Sequence, residues 1–143
     1  MSELALPKIN KSTIKKKNYI FKKLSKLINS ENVLSHEDEI KPYETDALSA
    51  YKQMPLAVVM PENTKQVSSI LKFCSDENIK VVPRGAGTGL SGGALPLQDA
   101  ILLSLGKFNK ILDIDFENKC VIAQPGVTNL SITHAVQHKG FYY

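Results

Sequence analysis

Hydrophobic and polar positions along this chain alternate between two periods, and each change of period marks an element. From Ser12 to about Asn29, Ile20, Leu24, Leu27 and Ile28 recur at three- and four-residue spacing with Phe21 beside them. Lys15, Lys16, Lys17, Lys22, Lys23 and Lys26 take the remaining positions, which predicts an amphipathic helix. Ala57-Val58-Val59-Met60 is a short unbroken apolar run, the pattern of a buried strand, and Pro61 ends it. Asn63, with Gln66 three residues on, is placed to cap a helix. Val67, Ile70, Leu71 and Cys74 form the predicted inner face of that helix, which runs to about Asn78. Val81-Val82 is the next strand, so this stretch is a βαβ unit. Ile101 to Leu105 is a further strand. Lys110 to Phe116 alternates, with Leu112, Ile114 and Phe116 on one side and Asp113 and Asp115 on the other. A Glu117-Asn118 turn and the run Cys120 to Ala123 complete a predicted hairpin. Thr128 opens a last helix reaching Lys139, with Ile132, Ala135 and Val136 as its stripe and Gly140 as its stop.

The segment with the strongest chemical signal is the one that fits neither period. Five of the eight glycines fall between positions 85 and 93, in Pro83-Arg84-Gly85-Ala86-Gly87-Thr88-Gly89-Leu90-Ser91-Gly92-Gly93, directly after the Val81-Val82 strand. Backbone this bare can wrap a run of N–H groups around an anion. Thr88 and Ser91 add hydroxyl donors, and Arg84 adds a forked cation that suits phosphate oxygens. Ligands of open α/β sheets bind beyond the carboxyl ends of the strands, where this loop lies. A Walker A loop is excluded, because Gly93 is followed by Ala94-Leu95-Pro96 and the next lysine is Lys107. Gly87, Gly89 and Gly92 spell G-x-G-x-x-G. However, no helix is predicted after the third glycine, so the dinucleotide fingerprint is a coincidence of spacing.

The run from Pro83 to Pro96 resembles instead the FAD pyrophosphate loop of the flavoproteins related to vanillyl-alcohol oxidase and p-cresol methylhydroxylase. Within that group it is most similar to the FAD-linked subunit of glycolate oxidase and to the D-lactate dehydrogenases. Ala57 to Val67 matches the start of the FAD domain, and Ala123-Gln124-Pro125-Gly126-Val127 matches a second flavin-contacting turn. The similarity extends from about Tyr43 to Tyr143. It implies an α+β fold of the p-cresol methylhydroxylase type, incomplete at its C-terminal side: βαβ unit, glycine loop, hairpin and helix. It implies FAD as cofactor, held through Pro83, Arg84, Gly85, Ala86, Gly87, Thr88, Gly89, Ser91, Gly92 and Gly93, with Pro125 and Gly126 approaching the flavin. Relatives that attach FAD covalently carry a histidine where this chain has Thr88, so non-covalent binding is implied. The resemblance also implies oxidation of a small 2-hydroxy acid, glycolate or D-lactate, by hydride transfer from C2 to the flavin, with further oxidase subunits as partners.

Composition narrows the remaining possibilities. The chain has 143 residues and a net charge of +4, suited to one domain. Residues 1–30 hold eight lysines and a single acid, Glu3, so the remainder is slightly acidic and offers no basic surface for nucleic acid. The lysine-rich helix over residues 12–29 is expected to pack its apolar stripe and leave its lysines solvated. The alternative is a surface-binding module for anionic membranes or nucleic acid. Arg84 is the single arginine, beside the glycine loop. Cys74 and Cys120 lack metal-ligand spacing and are expected to be buried free thiols in a reducing compartment. No stretch reads as a signal peptide or membrane span, so a cytoplasmic location is expected. His134 and His138 stand four apart but lack a third ligand, which argues against zinc. Asp113 and Asp115 are read as solvated rather than as a catalytic pair. Residues 1–11 are read as a disordered lead, Ser35 to Glu39 as an acidic loop with a solvated His36, and Pro42-Tyr43-Glu44-Thr45-Asp46 as a turn. The last resembles a tyrosine–aspartate element that precedes the flavin domain in glycolate oxidase-like proteins.

Two segments follow: 1–50, a basic helix with its lead-in, and 51–143, the N-terminal part of an FAD-binding domain. The flavoproteins it resembles continue with a Pro-Asp-Pro and a Gly-Gly-Asn segment and then a substrate domain. The resemblance therefore implies a piece of a longer enzyme, inactive alone and without a nameable catalytic residue, with apolar faces left uncovered and marginal stability. A non-catalytic flavin-binding subunit that needs a partner chain is the alternative.

Overall fold

The strand Ala100–Ser104 (β4) is buried along its whole length and lies at the centre of the main sheet. A computed structural model describes residues 7–143. In it, β4 pairs in parallel with Ala57–Val59 (β2) on one side and Lys80–Arg84 (β3) on the other. Val33–Leu34 (β1) adds antiparallel to β2, giving the order β1-β2-β4-β3. The predicted βαβ unit is present, with Thr64–Asp76 (α4) between β2 and β3, but β4 is inserted between its two strands. That places β3 at the sheet edge, where Pro83 costs no ladder hydrogen bond.

Side chains alternate across the sheet. Ala57, Val59, Ile101 and Leu103 face one layer of core with Ile70 and Cys74 of α4. Val58, Leu102 and the partly buried Val82 face the other with Ile40. Ile20, Leu24 and Ile28 join the first layer, so the lysine-rich segment packs its stripe as expected. Its helix is broken at Lys16 into Lys11–Lys15 (α1) and Lys17–Leu27 (α2), and Asn10 caps it by accepting from Ser12 N at 3.0 Å. The Asn63 cap on α4 is present, with its side chain accepting from Gln66 N at 2.9 Å. Leu71, placed on the inner face by its spacing, is exposed; α4 turns Ile70 and Cys74 to the core, with Val67 and the unpredicted Phe73 partly buried beside them. Burial pushes the Cys74 thiol up to about 11, while Cys120 is exposed, contrary to expectation.

Residues 1–6 of the expected disordered lead lie outside the described residues. Asn10 is held, its N–H donating to Asp99 Oδ2 at 2.6 Å, and Lys80 Nζ reaches both Asp99 Oδ2 (2.8 Å) and Lys8 O (2.9 Å). The acidic loop contains a helical turn, Glu37–Ile40 (α3), whose Glu39 carboxylate accepts from His36 N at 3.2 Å; His36 is exposed.

Ile111–Asp115 (β5) and Cys120–Ala123 (β6) form the predicted hairpin as a separate two-stranded sheet. A register shift between Ile111 and Asp113 leaves Leu112 without a cross-strand partner and exposed, so the alternation inferred from sequence fails there. Asp115 closes the turn by accepting from Asn118 N (2.9 Å) and Nδ2 (2.7 Å), and these bonds hold its carboxyl below the usual range. Thr128 caps Asn129–Val136 (α5) by accepting from Ser131 N at 3.1 Å, and Gly140 follows in the left-handed conformation.

Candidate functional site

The glycine loop leaves β3 at the carboxyl end of the parallel sheet, as the strand–loop order predicts. Among the described residues, no backbone N–H from Gly85 through Ala94 donates to a protein acceptor. Backbone donors are normally paired or hydrated, so this run of amides presents unclaimed donors to whatever approaches. Nothing lies within 4 Å of the position a side chain would take at Gly85, Gly89 or Gly93. Thr88 and Ser91 are exposed, and no hydrogen bond to another described residue occupies either hydroxyl. Bare backbone, unclaimed N–H groups and two free hydroxyls fit a pyrophosphate, whose oxygens accept only. Ser91, Gly92 and Gly93 also border a cleft of about 330 Å³ that extends along Val82, Pro83, Leu48 and Leu95.

The loop rests on a segment to which composition assigned nothing beyond a turn. Residues Tyr43 to Leu48 run across it as a strap. Ala47 N donates to Gly87 O at 2.9 Å, and Leu48 lies 3.7 Å from where a Gly92 side chain would begin. The strap is knitted internally: Thr45 Oγ1 donates to Asp46 O and Tyr51 O, and Asp46 Oδ1 accepts from Leu48 N at 3.0 Å. Asp46 is buried, and its Oδ2 has no partner among the described residues.

Arg84 points into this strap. Its Nη1 donates to Thr45 O at 2.6 Å and to Tyr43 O at 3.5 Å, and its Cζ sits 5.7 Å from the Tyr43 ring centroid. Gly87 lies over the guanidinium at φ +74°; a side-chain carbon there would come within 2.4 Å of Nη2. The backbone angle favours glycine at this position, and any side chain there would have to push the guanidinium aside.

The Pro125-Gly126 turn reaches the same end of the sheet by another route. Gly126 N donates to Phe108 O at 2.7 Å, and a side-chain carbon at Gly126 would sit 2.6 Å from Leu105 O. Leu105 N in turn donates to Arg84 O at 2.9 Å. The two sequence-predicted contact regions are thus linked through the turn that follows β4, which sequence reading had not marked.

Other candidates do not converge. His138 stacks edge-on against Phe116, and His134 is exposed. Among the described residues, no three His, Cys, Asp or Glu side chains come together as a metal site. A second concavity, of about 200 Å³, lies between the hairpin and α5 and is lined mainly by apolar side chains such as Ile114, Val121 and Ile132. No described helix is long and apolar enough to cross a membrane.

Comparison with known proteins agrees with this geometry. The glycolate oxidase subunit GlcD of Escherichia coli strain K12 is 50% identical over 111 residues, 78% of this chain and 22% of that protein. GlcD of Bacillus subtilis is 44% identical over 101 residues, 71% of this chain and 22% of its own length. A probable mitochondrial D-2-hydroxyglutarate dehydrogenase of Oryza sativa is 31% identical over 115 residues, 80% of this chain and 21% of the relative. The chain thus spans about a fifth of the curated relatives it matches. Among solved structures, p-cresol methylhydroxylase with substrate bound superimposes with a TM-score of 0.76 at 26% identity, over 92% of this chain and 26% of the other. The 4-ethylphenol oxidase of Gulosibacter chungangensis does so with a TM-score of 0.79 at 25% identity, over 95% of this chain and 27% of the other. The α+β fold of the p-cresol methylhydroxylase type expected from the loop is the fold observed, in part of its extent. With residues 55–143 matching the family described as FAD binding domain, the chain belongs to that family.

Proposed function

We propose that this chain is the FAD-binding portion of a flavin-dependent 2-hydroxy-acid oxidoreductase acting on glycolate, D-lactate or a similar small hydroxy acid. The observation that carries the reading is the row of unclaimed backbone N–H groups from Gly85 through Ala94, beyond the carboxyl end of β3. In this reading residues 51–143 are the N-terminal part of the FAD domain, and residues 1–50 lead into it. Backbone groups of Gly85, Ala86, Gly87, Gly89, Gly92 and Gly93 bind the pyrophosphate, with the Thr88 and Ser91 hydroxyls as further donors. Pro83 and Arg84 set the loop's origin, and the Pro125-Gly126 turn comes against the flavin. Thr88 stands where covalently linked relatives carry a histidine, so FAD is held without a covalent link. Hydride transfer from the substrate's C2 is the chemistry FAD supplies when bound; the chain's own residues bind and orient it. The hydroxy acid and further oxidase subunits are its other partners, and the cytoplasm is its location. Residues that would bind or deprotonate the hydroxy acid are not assigned within this chain.

An absorbance spectrum of the purified chain, with and without added FAD and after gel filtration, tests this. A flavin band that co-elutes with the chain and disappears in Gly87→Val is the expected result. A chain that stays colourless at saturating FAD, or a Gly87→Val variant that folds and binds equally well, refutes the loop assignment.

A further inference from the structure

Arg84 is the single guanidinium of the chain, placed where a phosphate ligand is expected, yet its polar atoms are turned toward protein. Nη1 donates to two carbonyls of the strap, Thr45 O and Tyr43 O, and the guanidinium lies along the Tyr43 ring. In the reverse sense, Ala47 N of the strap donates to Gly87 O of the loop. Side chain and backbone thus bridge one gap from both sides, with Gly87 seated on the guanidinium. From these contacts we infer that Arg84 is a positioning residue: it fastens the glycine loop to the strap Tyr43–Leu48 and leaves the phosphates to the backbone amides. This role rests on the flavin-binding reading above and refines it.

The physical basis is the fork of the guanidinium and the entropy of the loop. The planar guanidinium holds both carbonyls through Nη1 while its Cζ sits over the Tyr43 ring, a flat, pre-organised fit that the compact, strongly hydrated ammonium of a lysine reproduces poorly. A loop of five glycines loses much backbone freedom on closing around a ligand, and fastening it beforehand removes part of that cost from binding.

Lysine and glutamine variants separate this role from direct phosphate contact. Lysine is a competent phosphate binder as a point charge, so Arg84→Lys restores affinity if charge is what matters and fails if the fork matters. The first measurement is amide hydrogen exchange at Ala47 in the ligand-free chain. The second is FAD affinity by fluorescence quenching across a range of salt concentrations. We expect Ala47 to be protected in the wild type and to exchange about tenfold faster or more in both variants. FAD affinity falls about tenfold or more in both, with a salt dependence parallel to that of the wild type. Unchanged protection at Ala47, or recovery of affinity in Arg84→Lys with a shallower salt dependence only in Arg84→Gln, overturns the proposal. A wild-type chain that takes up no FAD refutes the flavin reading, while the exchange measurement still decides the role of Arg84. If Arg84→Gln does not fold, Arg84→Lys carries both readouts.

Discussion

At the scale of single residues, the glycines of the site divide by what surrounds them. Gly126 is wedged between the carbonyls of Leu105 and Phe108, 2.6 and 2.7 Å from where a side-chain carbon would go, with backbone on both sides that cannot swing aside. Gly89 faces open space. Gly126→Ala is therefore expected to lower stability by about 1–3 kcal/mol through overpacking. Gly89→Ala is expected to leave the ligand-free chain within about 0.5 kcal/mol of wild type, yet weaken FAD binding by crowding the bare backbone. Urea unfolding of the two variants, followed by flavin titration, checks both statements; equal losses of stability would contradict the division. The glycine density that marks this site is plain in the sequence, but which glycine meets backbone and which meets solvent is not. Gly126 meets carbonyls contributed by a turn some twenty positions earlier in the chain, and no local pattern encodes that meeting.

At the scale of elements, the capping residues Asn63 and Thr128 are legible because a cap acts within three positions of itself. The tie between the N-terminal segment and the sheet is not. Asp99 brings together Asn10 N, just before α1, and Lys80 of β3, across 89 and 19 positions. Burial pushes the Asp99 carboxyl up, but Lys80 and the Asn10 N–H outweigh it and hold the carboxyl below its ordinary value. A carboxyl depressed in the folded state contributes stability above its unfolded pKa and loses it as pH falls through the folded value. Asp99→Asn is accordingly expected to cost about 1–3 kcal/mol near neutral pH. The difference from wild type should narrow once pH drops below about 4. Urea midpoints at neutral pH and at successive acidic pH values test this, and a gap independent of pH would show that the charge is not involved.

At the scale of the whole molecule, the apolar surface is unevenly shared. The main sheet is covered on both faces, whereas Leu112 and Ile122 of the hairpin are 60% and 58% exposed. Exposed apolar side chains on a short two-stranded sheet favour association between copies. The double substitution Leu112→Lys with Ile122→Thr is expected to reduce light scattering at a given concentration while leaving Tm unchanged. A fall of several degrees in Tm would instead place these two side chains in a packed interior. The alternation over residues 110–116 had assigned Leu112 to a covered side, and the register shift in β5 is what moves it out.

What the amino-acid sequence determines by itself is the set of local choices: where chain periodicity changes, which residues cap α4 and α5, and where bare backbone gathers after a strand. The donors and acceptors for each of these lie within a turn or two along the chain, so residue order alone specifies them. Tertiary structure decides that β4 enters between β2 and β3, that Leu71 and Leu112 meet solvent, and that Arg84 turns inward. The carbonyls that capture its guanidinium stand 39 and 41 positions away, and only the folding of the strap onto the loop brings them within reach.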